Sequence, residues 1–247
     1  KKTNAMSDTT KLEQDYYGKE GKKYLSNSDI WALLKDPESF KKDKDPTLPM
    51  LQGSYFHTAM LEPHLLDDFT IVDASTRSTK VYKEALLSSP ELTNMFLLQK
   101  EKDSLDEMVR EMRSNLTFFE LIYASGNTYE QVGVKNIGGE MWKGKADIIT
   151  SEQIIDLKTT TSIEDFKYSA YKYNYDSQAW IYNQLFGKPM IFIVIEKNTY
   201  RMGLFTCSEE FLDRGKEKVG RALDVYQKFF GGSATEDINQ FFINEQL

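Results

Sequence analysis

The chain has 247 residues and carries 31 Lys+Arg against 38 Asp+Glu, a formal net charge of −7. That length suits one α/β domain or two small ones with a sizeable core, and the acidic balance excludes a uniformly basic nucleic-acid coat protein while leaving room for a local basic groove. The one cysteine, Cys207, excludes an internal disulfide framework, a four-cysteine zinc site and a cysteine-ligated iron–sulfur cluster, and it fits a reducing compartment.

Residues 1–23 are polar, carry charges of both signs and show no periodicity, so they read as a mobile arm. The charged stretch 1–12 lacks the apolar core of a signal peptide, and no run approaches the ~20 apolar residues of a membrane span. The expectation is a cytoplasmic protein with no membrane partner. From Ser26, a serine cap, Asp29 in the first turn and apolar Ile30, Leu33 and Leu34 predict a short helix ending before Pro37. After a charged loop, residues 51–61 predict a second apolar helix that sets Gly53 and His57 four apart on one face, closed by Pro63. The Ser/Thr-rich stretch 74–83 holds Arg77, Lys80 and Lys83 with no acid and reads as a loop suited to phosphate. Within 92–113, Leu105, Met108, Val109 and Met112 follow the spacing of an amphipathic helix.

The texture then changes. Short strands are predicted over 129–137, 141–150 and 153–157, with Gly138-Gly139 as a hairpin signal. Residues 167–175 interleave Lys167 and Lys172 with Tyr168, Tyr171, Tyr173 and Tyr175, aromatic faces that suit either stacking on unpaired bases or ordinary packing. A helix over 176–185, strands over 190–196 and 201–207 and a helix over 209–230 complete an α/β order, an antiparallel meander flanked by helices. No repeat or convincing linker divides it, so 24–230 reads as one domain. An acidic tail, 231–247, is a candidate interface segment.

The stretches 144–150 and 154–160 carry the chemistry. Strand alternation puts Asp156 and Lys158 on one side with Leu157 inward, and a hairpin register brings Asp147 beside Asp156. Two carboxylates at a strand end make a hard-oxygen site for Mg²⁺ or Mn²⁺, with a lysine to orient or deprotonate a water. Asp and Lys two apart on a strand are commonly a solvated pair. Here Ile148, Ile149, Ile154, Ile155 and Leu157 mark buried strands, on which unpaired acids are costly.

These residues resemble the PD-(D/E)XK nucleases and, among them, the RecE-type phage exonucleases of the exodeoxyribonuclease VIII kind. The motif reads Asp147 … Asp156-Leu157-Lys158, followed by Thr159-Thr160. It is joined in the family's order by Leu25-Ser26-Asn27-Ser28 … Asp36-Pro37, by Gly53-Ser54-Tyr55-Phe56-His57 with Leu61-Glu62-Pro63, and by Tyr175-Asp176-Ser177-Gln178-Ala179-Trp180-Ile181-Tyr182. The resemblance spans residues 24–230 and implies a restriction-endonuclease-like α/β core, a mixed central sheet with an antiparallel meander flanked by helices.

The resemblance also implies roles. Asp147 and Asp156 bridge one or two Mg²⁺ (or Mn²⁺) ions, with His57, the Leu157 carbonyl and Glu130 as further ligands. Lys158 positions or activates the water, and Gln178 and Tyr182, four apart on one helix face, sit beside the active centre. Arg77, Lys80, Lys83, Lys145 and Tyr175 are the expected DNA contacts, Arg77 at the terminal 5′-phosphate or the displaced strand. Two departures stand out: Ala146 where a proline is common, and Asp176 where a basic residue or histidine is common. The implied activity is 5′-to-3′ digestion of linear double-stranded DNA, leaving 3′ single strands for a RecT-like single-strand annealing protein. The implied assembly is a ring-shaped homo-oligomer, trimer or tetramer, of phage or prophage origin in a bacterial host. No Gly-x-x-x-x-Gly-Lys-Ser/Thr loop is present, which excludes an ATP-driven helicase–nuclease at the level of this chain. An endonuclease of restriction or repair type and a non-catalytic DNA-end-binding module are the rival readings; the intact Asp147, Asp156 and Lys158 disfavour the second.

Overall fold

A run such as Met190-Ile191-Phe192-Ile193-Val194-Ile195, apolar at every position, has no polar face to turn to solvent, so it needs cover on both sides. The structure, a computed structural model, describes residues 8–89 and 95–246 and supplies that cover. In chain order the elements are α1 (Asp8–Gln14), α2 (Ile30–Lys35), α3 (Leu48–Leu61), β1 (Ile71–Val72), α4 (Lys80–Ser88), β2 (Leu97–Leu98), α5 (Gln99–Ser114), α6 (Leu116–Tyr123), β3 (Thr128–Ile137) and β4 (Glu140–Ile149). They continue with β5 (Ile154–Thr160), α7 (Phe166–Lys172), α8 (Tyr175–Phe186), β6 (Met190–Glu196), β7 (Met202–Thr206) and α9 (Glu209–Phe229).

The main sheet runs β3-β4-β5-β6-β7, antiparallel except for the parallel β5–β6 pair. Along β6, Met190, Phe192 and Val194 enter the core shared with α2, α7, α8 and α9. Ile191, Ile193 and Ile195 enter the opposite core, shared with α3, α5 and α6. The period-2 alternation of a strand thus builds two apolar layers around one sheet. β1 and β2 pair in parallel beside a small third cluster around Val72, Tyr82, Phe96 and Leu98.

One cross-strand pair seats α8. Gly133 and Gly144 lie opposite each other in the β3–β4 register. A Cβ on Gly144 would stand 2.6 Å from Leu185 Cδ1 and 2.8 Å from Tyr182 Cε1, and one on Gly133 would stand 2.7 Å from the Phe186 ring. The missing side chains let α8 lie close on the sheet, which carries Gln178 and Tyr182 to the strands bearing the acids.

Several expectations change. Residues 8–23 are not a free arm: α1 covers Asp8–Gln14, Leu12 is buried, and Lys143 of β4 donates to the Tyr16 carbonyl and lies 3.9 Å from the centroid of the Tyr16 ring. Residues 1–7 and the tail end, Leu247, lie outside the described residues. The helix expected over 92–113 starts at Gln99, because Glu101 caps it by accepting the Leu98 N–H at 2.9 Å; residues 92–94 lie outside the described residues. Lys80 opens a helix, α4, rather than sitting in a loop, since Thr79 accepts the Tyr82 N–H as its cap. Among the described residues no helix is long and apolar enough to cross a membrane.

Candidate active site

β4 and β5 part where their acids meet. Their ladder pairs Ile149 with Ile154 and Ile148 with Ile155, and the next step would set Asp147 opposite Asp156. There the Leu157 N–H donates to Asp147 Oδ2 at 2.8 Å, so a side chain replaces the next backbone rung. Side-chain alternation on β4 also slips by one residue. Ala146 and Ile149 belong to the α8-side core, but Ile148 belongs to the α3-side core. A slip of this kind re-aims a side chain, and Asp147 turns toward α3, where His57 Nδ1 lies 3.2 Å from its Oδ2.

Glu130 stands across β3 from Asp147, between the pairs Tyr129–Ile148 and Gln131–Ala146, with φ at 50°. A left-handed backbone on a glutamate costs about 1 kcal/mol or more, and here it brings the carboxylate to the other two donors. Ligand atoms of His57, Glu130 and Asp147 all lie within 4.8 Å of one another. An imidazole nitrogen and two carboxylates suit a hard divalent cation such as Mg²⁺ or Mn²⁺.

The expected partner of Asp147 in this set, Asp156, is spent elsewhere. Its Oδ1 accepts from Gln178 Nε2 at 2.6 Å, and its Oδ2 forms an ion pair with Lys158 Nζ at 2.5 Å. The converging group is therefore His57–Glu130–Asp147, with Asp156 one step behind as the counter-charge of Lys158. Lys158 also lies 4.7 Å from the centroid of the Tyr175 ring, which stacks on Phe192.

Electrostatics sort these groups. Burial lowers the Lys158 pKa, but Asp156 outweighs it and the pKa is raised, which favours the ammonium form. Burial would likewise lower the His57 pKa, yet Asp147 wins and leaves it raised. Burial pushes the Asp147 carboxyl up, and His57 and Lys158 more than offset this, so it is held below its usual range. The Asp156 carboxyl goes up, through burial and the neighbouring Asp147 against the pull of Lys158. Glu130 is raised too, by burial and by Asp147, while Lys145 pulls the other way.

Other expected site residues prove to be scaffolding. The Tyr182 hydroxyl donates to the Lys145 carbonyl at 3.1 Å and lies 3.3 Å from the Lys145 N–H that donates to it, pinning β4 beside the fork. These contacts position β4. Lys145 pairs with Glu130 at 3.0 Å and lies against the rings of Tyr16 and Tyr17, so it is not a free DNA contact. Arg77 grips both oxygens of Glu101 at 2.7 Å and donates to the Phe96 carbonyl, which ties the loop before α4 to α5. Its guanidinium is committed inside the fold rather than offered to a phosphate. Lys80 and Lys83 are exposed on α4, Lys80 beside Glu84, and neither lines the cleft at the fork.

That cleft, about 570 Å³, opens over His57, Lys158 and Tyr175 and is bounded by the N-terminal turn of α3, the end of β5 and Lys197. Tyr175, expected at the DNA, lines this cleft. Lys197 was not anticipated from the sequence. The signal was present: β5 and β6 run parallel, so the residues just past their ends share one edge of the sheet, where open α/β sheets bind ligands.

The fork, its inward acids and the adjoining lysine define a class, that of PD-(D/E)XK-type nuclease domains. Over residues 23–237 the chain matches the family described as "PDDEXK-like domain of unknown function (DUF3799)", and it belongs to that family. Among solved structures it is similar to a protein from Eubacterium rectale provisionally described as an exonuclease. The TM-score is 0.63 at 17% identity, over 99% of this chain and 96% of that one. A phage-related exonuclease from Haemophilus somnus 129PT matches with a TM-score of 0.33 at 15% identity, over 63% and 88% of the two chains. No curated protein matches the chain.

Proposed function

We infer that the chain is a divalent-metal-dependent exonuclease that digests linear double-stranded DNA from its 5′ ends and leaves 3′ single strands. The observation that carries this reading is the convergence of His57, Glu130 and Asp147 within 4.8 Å, beside an ammonium that Asp156 holds in place. The exonuclease class is supported by the fold shared with the Eubacterium rectale protein provisionally described as one. Polarity, a RecT-like annealing partner, a ring-shaped homo-oligomer and a phage or prophage setting rest on the motif resemblance to RecE-type chains.

In the reaction, a water oxygen forms a bond to phosphorus while the bond from phosphorus to the 3′-oxygen breaks. The attacking water gives up a proton to solvent and the leaving oxygen takes one up, so the products are a 5′-phosphate and a 3′-hydroxyl. A Mg²⁺ or Mn²⁺ ion held by His57, Glu130 and Asp147 would supply Lewis acidity at the phosphate. Lys158, held protonated, donates to the attacking water or to a phosphate oxygen and meets the negative charge that grows there. Asp156 fixes the direction of that ammonium, and Gln178 fixes Asp156.

The test is digestion of linear duplex DNA labelled at one 5′ or one 3′ end, with Mg²⁺, by the wild type and by Lys158→Ala. Early loss of the 5′ label, little activity in the variant and a resistant covalently closed plasmid are expected. Equal loss of both labels overturns the polarity, a cut closed plasmid indicates an endonuclease, and full activity in Lys158→Ala removes the assigned centre.

A further inference from the structure

The cleft beside the fork has a composition unlike the rest of this acidic chain. Among the described residues none of its lining groups is a carboxylate. It presents instead two lysines, Lys158 and Lys197, the hydroxyl-bearing run Thr159–Thr160–Thr161, and Tyr173 with its ring more than half exposed. Lys158 already has its counter-ion in Asp156. Lys197 has none: among the described residues it makes no ion pair, and its ammonium donates only to the neutral Gln52 Oε1, at 3.1 Å. The adjacent acid, Glu196, is committed, one oxygen accepting the Ile163 N–H and the other the Thr199 hydroxyl.

The backbone holds Lys197 where it is. Its N–H donates to the Thr160 carbonyl at 2.8 Å, extending the parallel β5–β6 ladder by one rung, so Lys197 and Lys158 leave the same edge of the sheet on neighbouring strands. Half-buried and facing no anion, this lysine has its pKa lowered by burial, the state of a cation whose counter-charge is supplied from outside.

We propose that this cleft is the track for the cleaved DNA strand, and that Lys197 binds a backbone phosphate flanking the one presented to Lys158. The proposal rests on the nuclease reading for the identity of the strand, but the contact is a binding event and is measured without turnover. Polyanion binding suits the observations: acids are absent from the lining, the hydroxyls can donate to phosphate oxygens, and Tyr173 offers a face to a base.

The experiment is fluorescence anisotropy of a labelled linear DNA duplex bearing a 3′ overhang, in EDTA so that nothing is cut, across a salt series. Wild type, Lys197→Met, Lys197→Gln and Lys197→Arg are compared. Loss of one phosphate contact predicts about tenfold weaker binding at low salt and a log–log salt slope shallower by about 0.7 to 0.9 for both neutral variants, with Lys197→Arg close to wild type. A scan of the same DNA with single neutral methylphosphonate linkages locates the contact. Wild type loses about tenfold at one linkage, and the neutral variants are insensitive at that linkage alone. Wild-type affinity and slope in Lys197→Met and Lys197→Gln, or identical linkage scans in all proteins, overturns the proposal even if Lys158-dependent cleavage is found. A Lys197-dependent slope in a chain that releases no nucleotides with Mg²⁺ supports the phosphate contact at Lys197 and refutes the nuclease reading instead.

Discussion

Breaking the Asp156–Lys158 pair is the most informative perturbation of the fold. The two side chains are 3% and 17% exposed, so water cannot take over a charge left alone. Removing one partner of such a pair costs about 3–5 kcal/mol. Two features lower that figure for Asp156→Asn: repulsion between Asp156 and Asp147 disappears, and Asp147 still attracts Lys158. A loss of about 2–3 kcal/mol follows, or about 4–12 °C in Tm for a chain of this size.

Lys158→Met behaves differently, because Asp156 can escape its burial by taking up a proton. Its carboxyl already titrates above its ordinary 3.8, from burial and from Asp147, and the loss of the ammonium pushes it further up. The folded variant then binds a proton that the unfolded chain releases, so its stability falls as pH rises above that ordinary value. The variant is closest to wild type near pH 5 and furthest near pH 8. Urea unfolding in EDTA at both pH values, for wild type, the two singles and Asp156→Asn/Lys158→Met, measures the coupling. The double variant is expected to cost less than the sum of the singles by about 1 kcal/mol or more. Additive losses, or a pH-independent Lys158→Met, would refute the account.

Three further outcomes follow from the geometry. Gly144→Ala forces α8 away from β4 and destabilises by about 1–3 kcal/mol in thermal unfolding; an unchanged Tm means the helix yields freely. Arg77→Ala leaves Glu101 partly buried and unpaired, at a cost of about 1–3 kcal/mol, with the salt slope of DNA binding unchanged; a shallower slope returns Arg77 to the DNA interface. Burial raises the Glu101 carboxyl, but Arg77 outweighs it and holds it below its ordinary 4.5, so this stabilisation is complete above that value and fades as pH falls below it. Because Asp147 overcomes burial and raises the His57 pKa, cation binding at His57 competes with its protonation. Mg²⁺ titration by calorimetry near pH 6.5 in buffers of different ionisation heat should show more proton release in wild type than in His57→Ala; equal release in the two would refute the role of His57.

What could be read in advance was whatever depends on near neighbours in the chain. The strand pattern around Asp147 and Asp156, with the Gly138-Gly139 turn between β3 and β4, put both acids at one place because the period of two and a short loop leave few registers. Arg77 reads as a free loop cation in the sequence because its partner, Glu101, lies 24 residues away and only the packing of α5 brings it near. Lys145 and the stretch 8–23 fail for the same reason: Tyr16 and Tyr17 look like arm residues until β4 presents lysines to them. Glu130 was placed on the right strand, but its left-handed backbone, and with it the exchange of Asp156 for Glu130 among the converging donors, has no local marker. Lys197 was invisible because its meaning lies in what surrounds it, a lining without acids.

Each acid of the fork has its own resident cation: Asp147 has His57, Asp156 has Lys158 and Glu130 has Lys145. Folding therefore leaves no bare cluster of negative charge awaiting a metal to hold it together, in contrast to small metal domains that collapse when stripped. Chelation is therefore expected to leave the thermal unfolding of the molecule little changed, and a fall of many degrees in Tm on adding EDTA would refute this.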